Sequence, residues 1–250
     1  MENEKIPKII HYCWFGKGKK SEIAENCING WKVKLPEYTI IEWNEDNFDL
    51  EMNQYVKQAY KNKKYAFVSD YVRLHALFNY GGIYLDTDVE VVKEFNEMLN
   101  LNGFVGFEDK ELVSTATIGA KKGNKIIEEW LKSYKDRVFE NEGKKDETTN
   151  VRVLTNILLN YGMKQNNSIQ NIGDSDDITV YPIDYFSPLK IGRKKPNITK
   201  NTVTIHWFEG TWLTMPQKIK IKIIVIIKYI IGFNNYNKIK DYIKNRNCYE

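Results

Sequence analysis

The run AFVSDYVRLHALFNYGGIYLDTD, residues 66–88, constrains the fold more than any other stretch of the chain. Val68, Val72, Leu74, Leu77 and Phe78 recur at mixed three- and four-residue spacings, which predicts a helix over Ala66–Tyr80. Gly81-Gly82 stops that helix. Ile83-Tyr84-Leu85 then reads as a short buried strand. Similar alternation runs through the first half of the chain. It predicts an α/β layered sheet.

The apolar strand runs directly into Asp86-Thr87-Asp88. Side chains two apart on a strand point the same way, so both carboxylates are expected to project together from its end. Converging carboxylates repel each other and lose hydration, and need a counter-charge. A divalent ion supplies it, and oxygen ligands suit Mn²⁺ or Mg²⁺ rather than zinc. Such an ion keeps open positions for the oxygens of a diphosphate. The competing reading of a bare D-x-D is a solvated acidic turn, so the surroundings must decide.

The remaining elements follow from the same patterns. Ile6–Trp14 reads as a first strand, Ser21 as the N-cap of a helix through Ala24, Ile28 and Trp31, and Tyr38–Trp43 as a second strand. Residues 47–63 read as helical or irregular. Strands are expected at Phe104–Phe107, Thr115–Ile118, Ile178–Tyr181 and Val203–His206, and helices at Asn124–Phe139 and Thr148–Tyr161. In open α/β sheets, ligands sit beyond the carboxyl ends of the strands. Trp14 and the acidic pair both lie at such ends.

The chain has 250 residues, 42% hydrophobic and 28% charged, enough for one sizeable core. Residues 1–214 are read as one domain and 215–250 as a basic, apolar C-terminal tail. The tail holds eight Lys/Arg and two Asp/Glu, a net +6, which leaves the body at −2. A near-neutral body argues against nucleic-acid binding over a broad surface. Cys13, Cys27 and Cys248 are few and far apart, as expected of free thiols in a reducing compartment. The N-terminus lacks a long apolar segment, so no secretory signal is expected. Lys218, Lys220, Lys222 and Lys228 interleave with isoleucines over 219–231. That pattern is too short and too charged to span a bilayer, but it could lie in an anionic interface. The alternative is a last element packed on the body. A cytoplasmic protein, peripheral on the inner face of the plasma membrane, is the expectation.

Further candidates gather around the acidic pair. Asp70 and Arg73 are three apart and share a helix face. They form either a surface ion pair of little energetic worth or a ligand-reading pair, Asp70 for sugar hydroxyls and Arg73 for phosphate. Trp14 could stack on a flat base or belong to the core. His206, in Thr204-Ile-His-Trp-Phe-Glu-Gly-Thr-Trp212, is either a satisfied core histidine or a third metal ligand. His11 and His75 read as structural.

IPKIIHYCWFG, AFVSDYVRLHALFNYGGIYLDTDV and IHWFEGTW together resemble the DXD-containing family 32 glycosyltransferases. The family includes many capsular polysaccharide and lipopolysaccharide transferases. The central motif is similar to that of the glucosyltransferase domains of large bacterial cytotoxins, and the resemblance spans roughly residues 5–215. It implies a GT-A fold with a mixed central sheet flanked by helices, a nucleotide-sugar donor, Mn²⁺ and retention of anomeric configuration. It also implies roles. Trp14 would stack on the base. Ser69, Asp70 and Arg73 would contact the sugar and phosphates, and Tyr84 would line the donor site. Asp86 and Asp88 would hold the metal, with His206 completing or supporting it, and Trp212 would cover the phosphate. One departure is Thr149-Asn150-Val151, where many relatives carry Thr-Gly-Pro. That leaves Asn150 a possible site residue.

The resulting expectation is a retaining hexosyltransferase using a nucleotide-sugar, UDP-linked by resemblance, and a surface glycan or lipid-linked acceptor. No carboxylate nucleophile stands out, which favours front-face attack over double displacement. The rival classes are a metal-dependent nucleotide-sugar hydrolase and a non-enzymatic nucleotide- or sugar-binding protein.

Overall fold

The computed structural model describes residues 5–190, 193, 195–210 and 223. In chain order the elements begin with β1 (Ile9–Cys13), α1 (Glu22–Lys34), β2 (Thr39–Trp43), α2 (Gln54–Lys61) and α3 (Tyr65–Tyr80). Next come β3 (Gly82–Leu85), β4 (Val89–Val91), β5 (Gly103–Gly106), β6 (Thr117–Ala120), α4 (Lys125–Lys132), and the short strands β7 (Glu140–Asn141) and β8 (Lys144–Lys145). The last are α5 (Asn150–Asn160), β9 (Gln170–Ile172), β10 (Ile178–Tyr181), α6 (Ile183–Phe186) and β11 (Thr204–His206).

Seven strands form one mixed sheet in the order β2-β1-β3-β6-β5-β10-β9. β1 is parallel to β2 and β3, and β10 is parallel to β5. β6 runs antiparallel to both β3 and β5. Five strands therefore point one way, and the segments after β1, β2, β3, β5 and β10 all emerge at one edge. β4 and β11 form a separate antiparallel pair.

Side-chain alternation splits the core into two layers. Cys13, Tyr84, Val105, Ile118 and Val180 face a layer built with α2, α3, α4 and α5. Ile10, Tyr12, Ile83, Leu85 and Phe104 face α1, β4 and Phe186 of α6. Helix α3 is apolar nearly all round, which is why it is the buried one. Val68, Val72, Leu74 and Leu77 are fully buried, each worth roughly 1.5–3 kcal/mol of hydrophobic stabilisation. Its turn into β3 needs glycine. Gly81 and Gly82 have φ of 68° and 112°, and a Cβ on Gly82 would lie 2.6 Å from the Ile9 carbonyl oxygen. On α1, Ser21 caps as expected, accepting from the Ala24 N–H at 3.2 Å.

The expected α/β class and most of the elements are present. The expected helices over 124–139 and 148–161 are shorter, ending at Lys132 and Asn160. After Lys132 the chain turns through Ser133 to Phe139, whose Tyr134 and Phe139 are core residues without being helical. Strands β4 and β9 have only three residues each, too few for a period to show. Cys13 and Cys27 are free and buried. Trp212 and the 215–250 tail lie outside the described residues, apart from Ile223. Among the described residues, no helix is long and apolar enough to cross a membrane.

Candidate active site

The sheet edge from which β1, β2, β3, β5 and β10 emerge carries the polar candidates. β3 ends at Leu85, so the sequence expectation that strand alternation aligns Asp86 with Asp88 is corrected. The Asp86 N–H donates to the Ala116 oxygen at 2.9 Å, and the Val89 N–H donates back to the Asp86 oxygen at 3.0 Å. Asp86-Thr87-Asp88 is thus a turn joining β3 to β4, and the turn makes the carboxylates converge. β4 pairs with β11 in a register that sets His206 opposite Val89. The Trp207 N–H continues the ladder to the Asp88 oxygen at 3.0 Å.

That register brings together Asp86, Asp88 and His206, whose ligand atoms all lie within 4.8 Å of one another. His206 Nε2 is 3.4 Å from Asp88 Oδ1. The other oxygen, Oδ2, accepts the Glu209 N–H at 2.8 Å, and the Glu209 carboxylate accepts from Ser21 Oγ at 2.8 Å. The cap of α1 and the metal-side carboxylate are therefore tied through one residue. His206 Nδ1 is buried and has no hydrogen-bond partner among the described residues. Two carboxylates and an imidazole suit a Mn²⁺- or Mg²⁺-type ion, with imidazole favouring Mn²⁺.

At Asp88 and His206 burial disfavours charge, and neighbours decide the outcome. Burial would raise the Asp88 carboxyl, but His206 and the Glu209 N–H hold it below the usual carboxylate range. Burial would lower the His206 imidazole, but Asp88 beside it, with Asp86 and Glu108, raises it. An ion binding at His206 would compete with a proton for the same nitrogen.

Asp70 and Arg73 are paired at 2.9 Å with side chains only 14% and 6% exposed, so this is no surface pair. Arg73 Nη1 donates to the Thr115 oxygen at 2.7 Å and Nε to the Ser69 oxygen at 3.3 Å. Nη2 also lies 3.4 Å from Asp86, and the guanidinium sits 4.5 Å over the Tyr84 ring. In this arrangement Arg73 orients both Asp70 and Asp86 from below. Burial pushes the Asp70 carboxyl up to about 6 in spite of Arg73. Tyr84 is buried and donates to Asp86 Oδ1 at 2.9 Å. Ser69 Oγ donates back into its own helix, to the Tyr65 oxygen. Asn150 is buried at the start of α5. It accepts from Trp130 Nε1 and the Tyr134 hydroxyl and donates to the Asp70 backbone oxygen. It therefore holds α3 in place behind Asp70.

Trp14 follows β1 at the same edge, half-buried, with Nε1 donating to the Gly18 oxygen and Lys20 Nζ 5.5 Å from its ring. His11 and His75 are structural, as expected. His11 Nε2 meets the Gly81 oxygen while Nδ1 accepts from Trp43, and His75 packs edge-on to Trp43 and Phe48. One group escaped the sequence reading. Glu108 follows β5 at the same edge, and its charge acts on both His206 and Asp86. The signal that flagged Asp86 was present there too, since Phe104-Val-Gly-Phe107 also runs straight into acid.

A mixed sheet with a D-x-D turn and a facing imidazole at its carboxyl edge is a GT-A-type glycosyltransferase fold. The solved PaToxG glycosyltransferase shares it, with a TM-score of 0.51, 23% identity, and coverage of 63% of this chain and 69% of that one. Residues 21–105 match the family model of the glycosyltransferase sugar-binding region containing a DXD motif. Among curated proteins, it is 28% identical over 133 residues to inositol phosphoceramide mannosyltransferase 3 of Schizosaccharomyces pombe. It is 26% identical over 137 residues to mannosyl phosphorylinositol ceramide synthase CSH1 of Saccharomyces cerevisiae. These matches cover 49% and 52% of this chain, but only 35% of each relative.

Proposed function

We propose that the protein is a metal-dependent, retaining glycosyltransferase. It moves a hexosyl group from a nucleotide-sugar to a glycan or lipid-linked acceptor. The observation that carries this reading is the convergence of Asp86, Asp88 and His206, braced by Arg73, where the parallel strands end. Asp86 and Asp88 bring two carboxylates together beside the His206 imidazole, so a bound cation would offset converging negative charge.

Asp86, Asp88 and His206 would hold the ion, which when bound neutralises the diphosphate as it departs. The protein's own groups supply placement. Trp14 offers a ring face to the base beside Lys20. Arg73 and Tyr84 fix the Asp86 carboxylate, and Glu209 fixes Asp88. Asp70 accepts from donor-sugar hydroxyls. We read the transfer as front-face attack by the acceptor hydroxyl. The family resemblance favours a UDP-sugar, while the mannosyltransferase relatives support a mannosyl donor. Their ceramide-linked naming supports a lipid-linked acceptor, and with it a role at the cytoplasmic membrane face.

The test is a thermal-shift screen of UDP-hexoses and GDP-mannose with and without Mn²⁺, followed by turnover with and without acceptor. A metal-dependent shift and a glycosylated product are expected. Asp88→Ala should abolish both while the fold persists. Full activity of that variant, or of wild type in excess EDTA, defeats the metal-centred reading. Donor cleavage that no acceptor redirects would establish the hydrolase, and binding without turnover the non-enzymatic binder.

A further inference from the structure

Glu108 has no part in the metal set or in the donor contacts, yet it is built into the same edge. It stands just beyond β5, on the side of the acidic turn away from β1 and Trp14, because the sheet order runs β1-β3-β6-β5. A nucleotide on Trp14 with its diphosphate at Asp86 and Asp88 leaves that far side for the second substrate. The segment carrying Glu108 is held by its own hydrogen bonds. The Glu108 N–H donates to the Leu112 oxygen at 2.8 Å, and Asp109 Oδ1 accepts from the Glu111 and Leu112 N–H groups. Phe107 bridges to Val113. The Glu108 carboxylate is part-buried and accepts a long, 3.3 Å bond from Ser114 Oγ. Its main cationic neighbour is His206 rather than a lysine or arginine. A part-buried carboxylate with one long hydrogen bond retains accepting capacity.

We propose that Glu108 is the acceptor-binding residue: its carboxylate accepts a hydrogen bond from the hydroxyl that attacks the donor sugar. The assignment rests on the glycosyltransferase reading and extends it to the second substrate, whose class is a polyol or sugar bearing a free hydroxyl. Removing a group that fixes only the attacking oxygen should lower kcat and leave donor binding alone.

Wild type, Glu108→Gln and Glu108→Ala are compared with Mn²⁺ and whichever nucleotide-sugar wild type turns over. Water and methyl α-mannoside serve as the acceptors. In Glu108→Ala, kcat toward both acceptors should fall about tenfold or more, with donor KM and Mn²⁺ half-saturation within about twofold of wild type. Glu108→Gln, which keeps one carbonyl oxygen, should fall less. Added formate should restore part of the Glu108→Ala rate, a rescue that a structural role would not give. An unchanged kcat overturns the proposal. So does a loss accompanied by equal rises in donor KM and Mn²⁺ half-saturation, which would place Glu108 in the metal centre. A lowered unfolding midpoint without formate rescue would make it structural and overturn it as well. A wild type that transfers to water and never to a sugar hydroxyl defeats the transferase reading, and the acceptor role with it.

Discussion

Arg73 gives the sharpest test of how the site is held. It is 5% exposed and serves four acceptors at once: the Ser69 and Thr115 oxygens and the Asp70 and Asp86 carboxylates. Arg73→Met leaves both carboxylates without their cation. Breaking a buried pair in this way costs about 3–5 kcal/mol. At about 2–4 °C per kcal/mol for a domain of this size, the midpoint should fall roughly 6–20 °C. Arg73→Lys keeps the charge, but one nitrogen cannot span four acceptors. Losing one charge-assisted bond costs about 1.5–3 kcal/mol, so its midpoint should lie between the other two. Its kcat/KM should drop about tenfold or more, about 1.4 kcal/mol of transition-state stabilisation. Thermal unfolding followed by circular dichroism measures the first effect, and donor turnover the second. The double variant Asp70→Asn/Arg73→Met should be less destabilised than the sum of the singles by about 1 kcal/mol or more. Strict additivity, or a wild-type midpoint for Arg73→Met, would refute the buried-network account. An unchanged kcat/KM for Arg73→Lys would remove Arg73 from the site.

Gly119→Ala should be destabilised by about 1–3 kcal/mol in urea titration, because its Cβ would lie 2.0 Å from the Phe104 ring, between two core strands. Arg137, which packs over the Tyr55 and Tyr134 rings, bonds Asp146 and with Thr148 holds its carboxyl down to about 2. Its folded pKa lies below the unfolded value of 3.8, so this stabilisation is complete above about pH 4 and is lost as pH falls toward 2. Asp146→Asn should lose up to about 2 kcal/mol at pH 7, less any solvent screening, and almost nothing near pH 2, as measured by urea titration at both pH values. The full chain should sediment with anionic liposomes and a chain ending at Met215 should not; equal behaviour of the two would end the membrane-attachment proposal.

The sequence by itself determined the parts whose signal is local. Helix 65–80 and strand 82–85 were legible because apolar spacing, two glycines and an abrupt run of acid lie side by side in the chain. The Ser21 cap was legible because one side chain bonds a backbone three residues away. Asp86 and Asp88 were legible as a pair, although the turn that aligns them was mistaken for a strand. Tertiary structure decided what each candidate meets. His206 reaches Asp88 only because β11 pairs with β4 across more than a hundred residues, and a three-residue strand carries no period to announce that pairing. Arg73 and Asp70 could have been a surface pair; packing of α3 against the sheet buried them beneath Asp86. Glu108 stayed invisible because acid just after a strand is common. It gains meaning only when β5 ends at the same edge as β3's turn, one strand away across β6, and that neighbourhood is fixed by the long-range order of the sheet.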